Sequence, residues 1–253
     1  MNLSAWEYLA AGGASLAAGA VNALAGGGTL VSFPTLTALG VPAVAANVTN
    51  TVALCPGYLA GTHAQRADLA GLGDELRWLG VPAGLGGLAG SLLLEVTPEQ
   101  AFRVLVPYLI LLSCVLLLSQ DRVRAWLVAR SSTSVARGRA TMGAAVAMSA
   151  VYGGFFGAGL GIMLLSVLGV FSSERLDKLN AVKQALSLVI NVIAAVCFSI
   201  TGHVRWELVP VMAVAALAGG ACGGRMASRV NPSVLRRIVV AAGVAIAVSF
   251  WVG

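Results

Sequence analysis

The chain is a succession of apolar runs, many close to the ~20 residues that an α-helix needs to cross hydrocarbon, divided by short gaps that hold its charges. No other property restricts the fold as strongly. Of 253 residues, 58% are hydrophobic and 10% charged, and the mean hydropathy is +0.88. A soluble domain is roughly 25% charged, so this chain lacks the polar surface a soluble core of its size would need. The net charge of +6 does not mark a nucleic-acid partner. The arginines stand in the gaps between apolar runs, where the positive-inside bias places them; the expected surroundings are a lipid bilayer. Cys55, Cys114, Cys197 and Cys222 each lie in a separate apolar run, with no CxxC or Cys/His cluster. They read as small packing residues, and no metal or cofactor is expected. Residues 1–7 have no positive n-region, so the first apolar run is read as retained rather than cleaved.

Turn residues and charges separate apolar blocks at about 5–24, 29–39, 43–62, 76–94 and 100–118. A polar stretch, 119–139, follows with Arg122, Arg124, Arg130, Arg137 and Arg139. The pattern then restarts at about 140–156, 162–171, 180–200, 206–224 and 234–252. These blocks are too long for barrel strands and show no period-two alternation, so they predict helices. Blocks 29–39 and 162–171 are the exceptions in length. Eleven helical residues rise only ~16 Å against a core of ~30 Å, which leaves tilted crossings and re-entrant half-helices both open.

The two halves match in order. Gly26-Gly27-Gly28 corresponds to Gly157-Ala158-Gly159, Asn47-Val48-Thr49-Asn50 to Asn180-Ala181-Val182-Lys183, and Trp78 with Val81-Pro82 to Trp206 with Val209-Pro210. Val96-Thr97-Pro98 corresponds to Val230-Asn231-Pro232, and Arg103 to Arg237. Each pair is about 130 residues apart, which predicts a duplication: repeat 1 over 1–118, a cytoplasmic linker over 119–139, and repeat 2 over 140–253. With the Arg-rich linker in the cytoplasm, counting crossings outward leaves only Arg103 and Arg205 near the outer face and Lys183 within a helix, so thirteen of the sixteen basic residues are cytoplasmic. That count requires an odd number of crossings per repeat. The fold class expected is therefore an all-α polytopic membrane protein of two inverted-topology repeats of about five helices each, with a short second helix in each and both termini outside. Inverted repeats are a common construction of secondary transporters.

Polar residues inside apolar blocks are costly and so point to function. They gather at corresponding places: Asn22, Gly26, Gly27, Gly28, Thr29, Asn47, Asn50 and Thr51 in the first half, and Tyr152, Gly157, Gly159, Gly161, Asn180, Lys183 and Gln184 in the second. The glycine runs serve close helix packing, or break a helix so that freed N–H groups and the helix dipole face an anion. Their recurrence before each short block favours the second role. Lys183 either snorkels to the cytoplasmic interface or offers a counter-charge to an anionic substrate. His63 and His203 fall at the ends of blocks and read as interface residues. No Asp or Glu lies deep in a span, which argues against a carboxylate proton relay and a cationic substrate. There is no P-loop and no catalytic triad or metal-ligand spacing, so an enzyme is not expected.

Two segments carry a resemblance. Ala25-Gly26-Gly27-Gly28-Thr29-Leu30-Val31 with Pro34, and Tyr152 through Gly161-Ile162, resemble the paired motifs of the TauE/SafE sulfite-exporter family. The following Ala-Asn-Val-Thr-Asn-Thr and Lys-Leu-Asn-Ala-Val-Lys-Gln stretches resemble its post-motif helices, and residues 230–237 also fit. The first motif departs from the family in having three glycines before Thr29, where members often have a longer run. The resemblance implies transport of a sulfur-containing anion (sulfite, an organosulfonate or thiosulfate) across the bacterial inner membrane, often coupled to the proton gradient. The expected partner is thus a small anion held between the glycine breaks. A passive anion channel, a carrier for another small organic anion, and a structural membrane protein with packing glycines stay open as alternatives. The sequence specifies no oligomeric state; a homodimer is one arrangement compatible with it.

Overall fold

The fold comes from a computed structural model, which describes residues 4–24, 26–130, 138–172, 174–201 and 203–226, and beyond them 240, 241, 243, 244, 247 and 248. Ala25, Arg137, Arg229 and the Val230-Asn231-Pro232 segment with Arg236 and Arg237 lie outside the described residues.

Nine α-helices form among the described residues: α1 Ala5–Leu24, α2 Thr29–Ala38, α3 Ala43–Ala64, α4 Gly73–Glu95, α5 Glu99–Arg130, α6 Arg139–Phe155, α7 Leu160–Phe171, α8 Leu176–Thr201 and α9 Val209–Met226. A single 3₁₀ turn, Arg66–Leu69, joins α3 to α4. Helix ends follow the turn chemistry of the sequence. Gly40, at φ +81°, closes α2, and Pro42 opens α3 from an extended conformation. The first N–H groups of α3 are capped by another helix: the Glu99 carboxylate accepts from Ala43 N (2.7 Å) and Val44 N (3.0 Å). A carboxylate at this position satisfies orphan donors and complements the helix dipole.

The short blocks are short helices, of 10 residues in α2 and 12 in α7. Gly73–Glu95, Glu99–Val123 and Leu176–Ile200 are long and apolar enough to cross a membrane, and Leu160–Phe171 and Val209–Gly223 are shorter apolar helices. Their outer faces carry large apolar side chains in the open, among them Leu85 and Leu92 on α4, Val104 and Val115 on α5, and Val196 and Ile200 on α8. Apolar surface this extensive belongs against lipid, not water.

Helices from the two halves interlock. α1 and α3 pack on α9, while α6 and α8 pack on α4. Small residues make these crossings close. Gly19, Gly219 and Gly223 lie against the facing backbone across the α1–α9 seam, and Gly86, Gly90 and Gly154 do so across α4–α6. α3 and α8 run against each other in the centre, where Cys55 Sγ of α3 donates to the Asn191 carbonyl of α8 (3.4 Å). Without a hydrophobic driving force between helices in lipid, such backbone proximity supplies the van der Waals contact that holds a bundle together.

Candidate functional site

Each short helix begins at a glycine break built on left-handed backbone. Gly26 has φ +80°, and Gly157 and Gly159 have φ +79° and +80°. This conformation costs an L-residue with a Cβ roughly 1–2 kcal/mol, which explains why these positions are glycine. In each break a residue from the preceding helix bonds six residues ahead. Asn22 Oδ1 accepts from Gly28 N (2.7 Å), and the Tyr152 hydroxyl donates to the Ala158 carbonyl (2.6 Å). Ser113 of α5 lies within bonding distance of both the Tyr152 hydroxyl and that carbonyl, at 2.9 Å each. Asn22 and Tyr152 therefore hold the shape of the breaks.

The breaks meet. A Cβ built on Gly26 would lie 2.8 Å from Gly161 Cα, and one on Gly161 would lie 2.9 Å from Gly26 Cα. Gly27 faces Leu117 of α5, and Gly28 is pressed against α1 at Ala18. Thr29, buried, is the first residue of α2. Gly159 caps α7 without a side-chain partner. In the first break the Gly28 N–H is taken by Asn22. In the second, hydrogen bonds among the described residues reach none of the N–H groups of Ala158, Gly159 and Gly161. Open N–H groups at a helix start are an anion-binding arrangement.

Lys183 lies beside this second break. Its side chain is only 2% exposed, so it turns inward and does not snorkel. A Cβ on Gly161 would lie 3.5 Å from Lys183 Cδ, which places the lysine stem along the break. Lys183 Nζ donates to Asn180 Oδ1 (2.8 Å), and Asn180 Nδ2 donates to Gln65 Oε1 (2.8 Å). The three-residue spacing of Asn180 and Lys183 sets them on one helix face.

Other expected residues sit at more than one level of the bundle. Asn47 Nδ2 donates to the Phe155 carbonyl at the end of α6 (2.9 Å). The Thr51 hydroxyl is spent on the Asn47 carbonyl (3.0 Å), a local bond that leaves its oxygen little to offer as a donor. Asn50 and Gln184 are both 1% exposed, and Asn50 Oδ1, Asn47 Oδ1 and both Gln184 amide atoms have no hydrogen-bond partner among the described residues. Gln184 abuts Gly61, where a Cβ would lie 2.5 Å from its Nε2. On the rims, His63 is exposed and pairs with Arg66 (2.6 Å), and His203 lies 3.5 Å from the Glu95 carboxylate.

Sequence reasoning missed Gln65 and Ser113. Ser113 is a serine in the middle of an apolar run, and its cost in lipid was the available signal. Gln65 stands among charged residues of a gap and gave none.

The helices and their paired glycine interruptions define a polytopic α-helical membrane protein in which the starts of two short helices meet. The chain belongs to the TauE/SafE family: the description "Sulfite exporter TauE/SafE" matches residues 11–250. It is similar to the probable membrane transporter protein YfcA of Escherichia coli strain K12, at 25% identity over 89% of this chain and 82% of that protein. It is also similar to a probable membrane transporter protein of Haemophilus influenzae, at 24% identity over 87% of this chain and 85% of that one. No solved structure matches it. The chain is a membrane transporter of the TauE/SafE type.

Proposed function

We propose that the protein is a secondary carrier for a small sulfur oxyanion (sulfite, an organosulfonate or thiosulfate), bound between the two glycine breaks and moved by alternating access in the inner membrane. The observation that carries this reading is the apposition of Gly26 and Gly161 with the buried Lys183 stem beside them. In this reading the Lys183 ammonium and the N–H groups of Ala158, Gly159 and Gly161 face one bound anion. A tetrahedral or pyramidal oxyanion has several acceptor oxygens and matches such a cluster of donors. Charge-assisted hydrogen bonds of this kind are roughly twice as strong as neutral ones. Asn47, Asn50 and Gln184 supply further polar groups along α3 and α8, and Asn22, Thr29 and Tyr152 support the walls. In this reading residues 1–118 and 140–253 are inverted repeats, with 119–139 cytoplasmic and both termini outside. The reciprocal packing of α1 on α9 and α6 on α4 supports a pseudo-symmetric pair. Transport is coupled to an ion or proton gradient, and a homodimer is compatible with this reading.

Lys183→Ala is expected to weaken sulfite binding about tenfold or more, since a hydrogen bond to a charged group is worth about 1.5–3 kcal/mol. Titration calorimetry of purified protein with sulfite, sulfate, thiosulfate and a sulfonate reads this directly. Unchanged affinity in the variant would remove Lys183 from the site. In proteoliposomes, sulfite accumulation against its gradient under an imposed proton gradient supports a carrier; flux that only dissipates the gradient identifies a channel.

A further inference from the structure

We propose that Gln65 is a positioning residue for the anion site: it fixes the Asn180 amide, and through it the Lys183 ammonium, without itself touching the anion. The inference rests on the anion-site reading above and adds a residue from the opposite half of the chain.

The polarity of the chain Gln65–Asn180–Lys183 follows from its charged end. An ammonium has donors only, so the Asn180 atom 2.8 Å from Lys183 Nζ must be the amide oxygen. The Asn180 nitrogen then points the other way and needs an acceptor, which Gln65 Oε1 supplies at 2.8 Å. Turning either amide over would set N–H against N–H. Orientation of an amide is usually an assignment; here the lysine decides it.

Gln65 can hold this geometry because its own backbone is held. It follows directly on α3, and its N–H is shared between the Gly61 and Thr62 carbonyls, at 3.3 and 3.2 Å. The side chain reaches across to α8, a partner 115 residues away in sequence. Gln65 and Asn180 are half-buried and Lys183 is buried, so the chain of bonds runs from the rim to the glycine break. Without Gln65 the Asn180 amide loses its outer anchor and is free to rotate. Lys183 Nζ then follows the amide oxygen or loses it, and the stem beside Gly161 shifts with it. A donor displaced in this way binds an anion less well while the helices stay packed.

The test is a double-mutant cycle on sulfite affinity and on radiolabelled sulfite uptake by the full-length protein. Gln65→Met keeps the length of the side chain and removes the acceptor. It is expected to raise Kd and KM for sulfite about five- to tenfold, to leave the maximal rate within twofold and to leave the thermal midpoint of the unliganded protein unchanged. In the Lys183→Ala background the same substitution is expected to change Kd by less than twofold. An equal effect in both backgrounds, or no effect in either, overturns the proposal. If Lys183→Ala weakens binding and Gln65→Met does not, the anion site stands and Gln65 has no part in it. If Lys183→Ala itself changes nothing, both readings fall. Gln65→Ser, smaller and suited to a half-buried helix end, repeats the comparison should the methionine variant fold poorly, with the same criteria.

Discussion

A methyl group at position 161 would meet the Cα of Gly26 at 2.9 Å, and one at position 26 would meet the Cα of Gly161 at 2.8 Å. Both neighbours are backbone and cannot swing aside. Gly161→Ala is therefore expected to cost about 1–3 kcal/mol of stability as overpacking. Gly26→Ala is expected to cost roughly 1–2 kcal/mol more, because position 26 also has φ +80°. Chemical denaturation in detergent checks both, and an alanine at 161 that left the transition in place would show that the breaks do not touch. At this scale the sequence was half legible. Asn180 and Lys183 declare their pairing by helical spacing, and the glycines by their recurrence. Gln65 does not, because its role depends on a helix from the other half, and a polar residue between His63 and Arg66 reads as solvated.

Among the elements, α3 is held at its start by a residue it does not contain. Glu99, at the first turn of α5, closes two of its orphan N–H groups. Replacing an N-cap acceptor typically costs about 1 kcal/mol. Glu99→Ala is expected to lower stability by about that amount and to shift the thermal midpoint downward, whereas a change at the exposed, uncharged neighbour, Gln100→Ala, leaves it in place. Scanning calorimetry of the two variants separates them. Element boundaries were legible where turn residues stand, at Gly40, Pro42 and Pro98. They were less so where polarity and helicity part company. α5 continues from the apolar block ending near 118 to Arg130, because Ser119-Gln120-Asp121 and the arginines are compatible with helix although they are not apolar. α8 likewise starts at Leu176, within the charged gap, so that Asp177 stands in its first turn, where the dipole favours an acidic side chain.

At the scale of the molecule, the inverted arrangement proposed above makes a claim about sides. With the four native cysteines replaced, a single cysteine at Ser132 in the linker is expected to react with a membrane-impermeant maleimide only in inside-out vesicles. One at Ser4 is expected to react in intact cells. Labelling of both positions from the same side would end the inverted topology. The arginine distribution made this expectation legible from sequence, since it is a property of the gaps. The partnering of helices was not. Glycines on α1 and α9 announce close contact but not with whom, and pairing between distant segments leaves no local pattern.

The seam between α1 and α9 also sets a timetable. The ribosome delivers α1 long before α9, the helix against which its glycines lie. α4, by contrast, receives α6 soon after it is made. During synthesis the second seam can close early, while α1 waits in the bilayer with its small-residue face bare. The quality-control machinery of the membrane therefore meets this protein as a half-closed bundle between the completion of α6 and that of α9. A chain that stops before residue 209 never finishes its first helix's packing, however well the rest is formed.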